Sequence, residues 1–275
     1  MAKVSYLCNR NAKIRFISEM TKKIFFREYG EGRNLVILHG ILGCSDLWIP
    51  VAQKLSEHFH VVVPDLPNHG QSEHSESIDF GSTAESLCNF LKNNNIDNPC
   101  VIAHSYGAKV AFQMLAMGFP IEKIVAVDML PSTTFAEPAI TRIIEFVGRS
   151  LPCLKSFAEA KKLFTKQGFE PRFADLLAKG MTMKKGSLQW KFNAKVIAEN
   201  GGRLLQPIHF EGVTETPLLV VKGQLSPYVD DNAIAYAKAH FKNTSVAVVP
   251  NAGHWVHFDQ PDVFHNIVCN FLTNK

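Results

Sequence analysis

A serine interrupts the segment CVIAHSYGAKVAF, residues 100–112, between an apolar run and a run of small and apolar residues. The first run predicts a buried strand and the second a helix, so Ser105 stands at a strand-to-helix turn. Small residues flank it, Ala103 before and Gly107 and Ala108 after, and they let a strand and a helix approach closely. Such a turn pushes its middle side chain outward, which makes Ser105 a candidate nucleophile. The alternative is a serine that only caps the helix.

A serine hydroxyl is a poor nucleophile at neutral pH unless a base takes its proton. The segment VVPNAGHWVHFDQP, residues 248–261, places His254 after a predicted strand and a glycine turn, just before the last helix. His257 competes for this role, but it falls in the opening turn of that helix. We therefore predict that His254 is the base. His104, beside Ser105, is expected to point the opposite way and to pack in the core.

A catalytic imidazole needs a carboxylate that holds its tautomer and stabilises its charged form. Asp128 ends a predicted strand in IVAVDMLP, whereas Asp230 and Asp231 follow a later strand in VVKGQLSPYVDD. Asp65 ends another strand in VVVPDLPNHGQS and is expected to have a structural role. The residues alone leave the choice between Asp128 and Asp230 open.

The segment HGILGCSDLW, residues 39–48, follows another apolar strand and contains two glycines. In a parallel sheet this loop lies beside Ser105, so the backbone N–H groups of Ile41 and Tyr106 are predicted to form an oxyanion hole. Two such donors aimed at developing negative charge each contribute about 10²–10³ in rate. His39 precedes the tight turn and is expected to shape the loop rather than act as a base.

Strand and helix patterns alternate along most of the chain. The runs LVILH and VIAHS are continuously apolar, which is typical of strands covered on both faces, so we predict an α/β fold with a doubly wound, mostly parallel sheet. The carboxyl ends of such strands form the ligand-binding edge. The predicted strands are Lys23–Tyr29, Leu35–His39, Val61–Asp65, Cys100–His104, Ile124–Asp128, Leu218–Lys222 and Val246–Pro250.

Residues 132–212 break this alternation and predict an all-helical insertion that covers the carboxyl edge as a cap. The core of the fold is then predicted to comprise residues 23–131 and 213–275, with residues 1–22 as a basic N-terminal extension. The predicted helices of the insertion are Pro138–Arg149, Phe157–Gln167, Arg172–Lys179 and Leu188–Glu199.

Composition excludes several classes of protein. Hydrophobic residues make up 46% and charged residues 20% of the chain, as in ordinary globular proteins. No run approaches about 18 consecutive apolar residues, so no membrane span is expected. The sequence contains no stripe of alternating basic and aromatic residues, so binding to nucleic acid is not expected. No Cys/His cluster has the spacing of metal ligands, so neither a metal nor another cofactor is expected.

Positive charge is concentrated in two regions of a chain whose net charge is +4. Residues 132–212 carry thirteen basic and seven acidic residues, which would suit an anionic substrate such as an acyl-CoA. Residues 1–27 carry seven basic residues and one acidic residue, Glu19. That composition fits an organelle transit peptide or a short basic strand or arm equally well.

The six cysteines form no Cys-x-x-Cys pair, and no secretory signal is evident. Reduced thiols in the cytoplasm are therefore expected, with mitochondrial or other organellar targeting by the N-terminus left open.

Six motifs together resemble those of serine hydrolases with the α/β-hydrolase fold, across residues 23–275. Within that superfamily, the motifs most resemble those of small bacterial acyl-ester and thioester hydrolases and of their mitochondrial α/β-hydrolase-domain relatives. The motifs are HGILG, VVPDLPNHGQS, AHSYGAK, VAVDMLP, KGQLSPYV and AGHWVHFDQP.

This resemblance helps to identify the carboxylate that orients the catalytic histidine. Many members of the superfamily place it in a Gly-x-x-Asp sequence, where this chain has Gly223 followed three residues later by Ser226. The narrower group has it in a motif similar to the one around Asp128, so the resemblance favours Asp128 over Asp230.

The resemblance implies cleavage of small acyl esters or thioesters through an acyl-serine, with Ser105, Asp128 and His254 as the triad. Leu42 and Trp255 would line an apolar acyl pocket together with residues of the insertion. The alternatives are a C–C bond hydrolase or lyase on the same scaffold, or a catalytically silent binding module.

Overall fold

The computed structural model describes residues 13–15, 23–134, 138–204 and 206–274. Within this part of the chain, eight strands form one sheet in the order β1-β2-β4-β3-β5-β6-β9-β10, and β7 and β8 form a separate hairpin. The strands are β1 (Lys13–Arg15), β2 (Phe26–Tyr29), β3 (Arg33–Leu38), β4 (Phe59–Pro64), β5 (Cys100–His104), β6 (Lys123–Val127), β7 (Met181–Lys184), β8 (Ser187–Trp190), β9 (Leu218–Gly223) and β10 (Thr244–Val249).

Helices cover both faces of this sheet, and a short 3-10 helix (Ser45–Trp48) precedes the first of them. The helices are α1 (Ile49–Leu55), α2 (Phe80–Asn93), α3 (Tyr106–Ala116), α4 (Pro138–Val147), α5 (Phe157–Lys166), α6 (Pro171–Lys179), α7 (Ala194–Glu199), α8 (Gly201–Leu204), α9 (Asp231–His240), α10 (Val256–Asp259) and α11 (Pro261–Thr273).

The sheet is parallel from β4 through β10, and β1 and β2 are antiparallel to their neighbours. All five residues of β5 are buried, as expected for a strand with helices on both faces. The prediction of an α/β fold with a doubly wound, mostly parallel sheet is confirmed.

The strand register brings the predicted site residues to one edge. Ala103 of β5 lies opposite Leu38 of β3 and Ala126 of β6, so these three strands end at the same level. The Ser105 N–H donates to the Val127 carbonyl over 3.2 Å, and the Asp128 N–H donates to the Val221 carbonyl over 2.9 Å. Backbone hydrogen bonding thus continues past the strand ends and fixes where Ser105 and Asp128 leave the sheet.

The elements between β6 and β9, residues 138–204 and 206–217, lie outside the main sheet, and we call them the inserted segment. The expectation that this segment is all-helical is wrong, because β7 and β8 pair as an antiparallel hairpin. Its turn contains Lys185 with a φ of 50° and Gly186 with a φ of 77°. The predicted helix over Leu188–Glu199 is correspondingly a strand followed by α7.

A buried lysine of α3 binds the chain just before the inserted segment and again in its last part. The Lys109 ammonium donates to the carbonyls of Pro131 and Thr133 over 2.7 and 2.6 Å, and to that of Gln206 over 3.3 Å. The first two residues follow β6 and the third precedes β9. The helix that begins beside Ser105 therefore anchors the chain where it leaves the sheet and where it returns.

Part of the predicted N-terminal extension falls within the described residues. Residues 13–15 form β1, which pairs with β2 and agrees with the short-strand alternative. The remainder of residues 1–22, and with it the question of targeting, lies outside the described residues.

Candidate active site

Ser105 has strained backbone geometry at the junction of β5 and α3. Its φ is 53° and its ψ is −117°, a combination that costs an L-residue on the order of 1–3 kcal/mol. It precedes the first residue of α3, yet its side chain makes no capping hydrogen bond. Helix capping therefore does not explain this serine.

Gly107 allows the helix after Ser105 to approach the neighbouring strand. A Cβ atom on Gly107 would lie 2.6 Å from the carbonyl oxygens of both Leu38 and His39. Because these are backbone atoms, no side-chain rotation would relieve the clash. The small residue predicted here is thus required by the packing of α3 against the end of β3.

His254 and Asp128 are in direct contact. Nδ1 of His254 lies 2.8 Å from Oδ2 of Asp128, and the Asp128 side chain is fully buried. Since a carboxylate only accepts hydrogen bonds, Nδ1 carries the proton and Nε2 remains for another partner. This is the tautomer that a general base next to a serine requires.

The Asp128 carboxylate is held by two further donors. The Gly223 N–H donates to Oδ1 over 3.1 Å, and the Ser226 hydroxyl donates to Oδ2, which also accepts from His254. Asp230, the rival acid, instead caps α9, where its side chain accepts from the Ala233 N–H over 2.7 Å. The hydrogen bond to His254 thus distinguishes Asp128 from Asp230.

The loop after β3 forms a tight turn, closed by a hydrogen bond from the Gly43 N–H to the Gly40 carbonyl over 3.1 Å. Ile41 and Leu42 occupy its centre, and Leu42 has a φ of 65°. Tyr106, the other predicted oxyanion-hole residue, is the first residue of α3, so its N–H has no acceptor within the helix.

The His39 side chain forms hydrogen bonds that hold this turn in place. Its Nε2 accepts from the Leu66 N–H over 2.9 Å, so Nδ1 carries the proton and donates to the Gly40 carbonyl over 2.8 Å. Burial lowers the pKa of His39 because it disfavours the charged imidazolium. A neutral imidazole with both nitrogens bonded within the loop agrees with the predicted shaping role.

The expectation that His104 points away from the site is wrong. Its Nε2 lies 2.9 Å from the His254 carbonyl oxygen, to which it donates, and its ring packs 4.6 Å from the His254 ring between centroids. Burial holds the pKa of His104 well below its ordinary value, and the neighbouring histidines His254 and His257 lower it further. The His104 side chain thus holds the backbone of His254, the predicted base, in position.

His257, the rival base, is buried in α10 rather than in the last helix, α11. Its ring stacks on Trp48 with a centroid distance of 4.0 Å. Neither of its ring nitrogens has a hydrogen-bond partner among the described residues, and burial lowers its pKa to about 3. His257 is thus buried against Trp48, whereas His254 borders the site cavity.

Ser105 and His254 line one cavity of about 190 Å³. The predicted pocket residues Leu42 and Trp255 line it as well, as does Ile41. The remaining walls are mostly apolar and come largely from the inserted segment. They comprise Gly40, Leu47, His104, Ile140, Ile143, Phe173, Leu176, Leu177 and Tyr228.

Sequence reasoning did not single out several residues of this site. Ser226 was noted only as standing where many relatives have an acid, and its bond to Asp128 had no sequence signal of its own. The Tyr228 ring lies 4.4 Å from the His254 ring between centroids. Asp259 accepts from the Gly253 N–H over 2.7 Å, directly before His254. Tyr228 lies within the motif KGQLSPYV and Asp259 within AGHWVHFDQP, and that position was the available signal.

Within the described residues, no group of three or more His, Cys, Asp and Glu side chains is placed to hold a metal ion. Across the same residues, no helix is both long enough and apolar enough to span a bilayer.

Known proteins that resemble this chain include lipases and esterases. The profile of the alpha/beta hydrolase family matches residues 35–267. The sn-1-specific diacylglycerol lipase ABHD11 of Xenopus laevis is 27% identical over 252 residues, which cover 88% of this chain and 80% of that protein. Esterase YbfF of Escherichia coli is 25% identical over 245 residues, covering 87% of this chain and 93% of that protein. A solved marine microorganism esterase superposes with a TM-score of 0.85 at 29% identity, covering 92% of this chain and all of that one.

Proposed function

The chain belongs to the alpha/beta hydrolase family, and from that premise we propose that it cleaves carboxylic ester or thioester bonds of small acyl substrates through an acyl-serine intermediate. Ser105 is the nucleophile, His254 the general base and Asp128 the residue that orients His254. The observation that carries this proposal is the 2.8 Å contact between His254 and Asp128 beside a cavity that Ser105 and His254 both line.

In the acylation step, Ser105 Oγ attacks the carbonyl carbon of the substrate while His254 Nε2 takes the hydroxyl proton. The resulting imidazolium is stabilised by the Asp128 carboxylate on Nδ1. The carbonyl oxygen becomes negatively charged and accepts from the N–H groups of Ile41 and Tyr106. When the tetrahedral intermediate collapses, the bond to the leaving oxygen or sulfur breaks, and His254 returns its proton to that atom.

In the deacylation step, water replaces the leaving group. His254 takes a proton from the water, whose oxygen attacks the acyl carbon and forms a second tetrahedral intermediate in the same oxyanion hole. Collapse breaks the bond to Ser105 Oγ, which receives the proton from His254. The acid product departs and the free serine is restored.

The cavity favours an uncharged, apolar acyl group, because most of its walls are aliphatic or aromatic and no Lys or Arg is among the described residues that line it. The inserted segment supplies Ile140, Ile143 and the residues of α6 to these walls, so we assign it the role of a cap over the acyl site. Residues 132–212 are the proposed extent of this cap, between core regions 23–131 and 213–275.

The leaving group would lie outside the acyl cavity. The basic residues of the inserted segment suit an anionic leaving group such as coenzyme A. Raising the salt concentration should then lower kcat/KM for an acyl-CoA more than for a neutral ester, and equal salt effects would argue against this assignment.

Ester cleavage is tested by comparing the hydrolysis of p-nitrophenyl acetate and longer p-nitrophenyl esters by the wild type and by Ser105→Ala. The proposal expects wild-type activity that falls by at least about 10³-fold in the variant. A wild type without activity on any ester of the series, or a variant as active as the wild type, would overturn it. The names of the relatives favour this reaction over C–C bond cleavage on the same scaffold.

A further inference from the structure

An ion pair joins the inserted segment to the loop that carries His254. Nη2 of Arg172 lies 2.7 Å from Oδ1 of Asp259 and also donates to the Phe258 carbonyl over 3.1 Å. Arg172 is the second residue of α6, and Asp259 is the last residue of α10. The Arg172 side chain is 57% exposed and that of Asp259 only 10%. The pair therefore connects a helix of the inserted segment with a largely buried carboxylate of the core.

The second oxygen of this carboxylate points to the catalytic loop. Oδ2 of Asp259 accepts from the Gly253 N–H over 2.7 Å, and Gly253 directly precedes His254. Charge-assisted hydrogen bonds of this kind are short and directional, so a carboxylate bonded through both oxygens has a fixed orientation. Arg172, Asp259 and Gly253 thus form one continuous chain of hydrogen bonds that ends at the backbone beside His254.

The same helix lines the acyl cavity. Phe173, Leu176 and Leu177 of α6 are among its walls, and Phe173 is the residue after Arg172. An acyl chain long enough to touch these side chains contacts the helix that Arg172 ties to Asp259. A short acyl group such as acetyl has fewer atoms with which to contact these side chains.

Building on the proposed hydrolase function, we propose that Arg172 and Asp259 are positioning residues that couple α6 to the His254 loop, so that acyl chains contacting α6 are turned over faster than short ones. A bound chain shifts a conformational equilibrium only through the difference in its affinity for the two states. Here that difference arises from its contacts with α6, and the ion pair transmits the shift to Gly253 and His254.

An ion pair that only stabilises the surface makes a different prediction. Exposed pairs contribute about 0–1 kcal/mol to stability, and their loss would lower the turnover of all substrates alike or not at all. The discriminating quantity is therefore the ratio of kcat for a long ester to kcat for the acetate ester, not the activity with either one.

Two substitutions remove the ion pair, and both leave an acceptor for the Gly253 N–H, although Arg172→Gln also removes the bond to the Phe258 carbonyl. Arg172→Gln deletes the cation, and Asp259→Asn deletes the anion but retains an oxygen that can accept from the Gly253 N–H. The matched control is Lys161→Gln. Lys161 forms an exposed ion pair with Asp175 of α6, at 3.3 Å, on the side of the helix that faces α5.

The experiment measures kcat and KM for p-nitrophenyl acetate, butyrate, hexanoate and octanoate, with thermal unfolding as a check of folding. We expect the ratio of kcat for the best long ester to kcat for acetate to fall about three- to fivefold in Arg172→Gln and in Asp259→Asn. The double variant should equal either single one, because both remove the same interaction. Lys161→Gln should keep the wild-type ratio.

The coupling is overturned if the ratio stays at its wild-type value in folded Arg172→Gln and Asp259→Asn, if Lys161→Gln lowers it equally, or if the two losses add in the double variant. Any of these results leaves Ser105-dependent hydrolysis intact. Failure of the proposed function is a separate result, in which Ser105→Ala hydrolyses the esters as fast as the wild type.

Discussion

Nδ1 of His254 lies 2.8 Å from Oδ2 of Asp128, although the two residues are 126 positions apart in the chain. Asp128 leaves the sheet after β6, and His254 lies between β10 and α10. The contact therefore depends on the order of strands in the sheet. It defines the tautomer of His254 and leaves Nε2 unprotonated, as the proposed transfer of a proton from Ser105 requires.

The first prediction concerns this acid. Asp128→Asn should lower kcat by about 10³–10⁴-fold, because an amide does not stabilise the charged imidazolium and permits the wrong tautomer. The matched control is Asp230→Asn, since asparagine caps a helix as well as aspartate does. Ester hydrolysis by both variants checks the assignment. A large loss in Asp230→Asn with little loss in Asp128→Asn would reverse it.

The second prediction concerns Ser226, whose hydroxyl donates to the same carboxylate oxygen as His254. A hydrogen bond to a charged group is worth about 1.5–3 kcal/mol, so Ser226→Ala should lower kcat about tenfold through a less fixed Asp128. KM should stay near the wild-type value, because Ser226 is not among the cavity-lining residues. Ser226→Thr keeps the hydroxyl and should retain more of the activity than Ser226→Ala. A rise in KM at constant kcat would contradict this role.

The third prediction concerns the length of the acyl chain. Ile143 lines the cavity from α4, so the larger side chain of Ile143→Trp should occupy part of the space for the acyl group. We expect kcat/KM for p-nitrophenyl octanoate to fall at least about tenfold, and kcat/KM for the acetate to change far less. Equal effects on both esters would mean that the acyl chain does not extend toward α4.

The fourth prediction concerns the dependence of stability on pH. Burial lowers the pKa of His257 to about 3, whereas in the unfolded chain the group titrates near pH 6.5. Unfolding therefore takes up a proton between these two values, and the native state loses stability as the pH falls from about 6.5 toward 3. His257→Phe, which keeps a ring against Trp48, removes this contribution.

Urea unfolding at pH 7 and pH 4.5 measures the contribution of His257 to the pH dependence of stability. Between these conditions the wild type should lose about 2–3 kcal/mol more unfolding free energy than His257→Phe. Equal losses in the two proteins would show that His257 is not kept neutral by its surroundings.

The parts of the fold that were predictable are those that local chemistry determines. The apolar runs of β3, β5 and β6 indicated strands covered on both faces, and their ends placed Ser105 and Asp128 at one edge. The capping role of Asp230 was not predicted, although an aspartate before a helix is a common N-cap, because Asp230 was kept as the rival acid. Side-chain contacts between distant segments, such as that of Ser226 with Asp128, had no local signal.

The errors have physical causes. Alternation along a strand predicted that His104 points away from Ser105. Ser105, however, has a positive φ and has already left the strand, so the alternation ends at His104. The β7–β8 hairpin was missed because its turn uses Lys185 and Gly186, where two-residue hairpin turns favour Asn-Gly or Asp-Gly. Its four-residue strands are also too short for a period-two pattern to stand out.

The most direct test of the central claim is labelling with a fluorophosphonate, which forms a covalent bond only with an activated serine. We predict a single addition to the wild type, located at Ser105 by peptide mass analysis, no addition to Ser105→Ala, and much slower addition to His254→Gln. A wild type that stays unlabelled, or a label of equal extent on Ser105→Ala, would contradict the account.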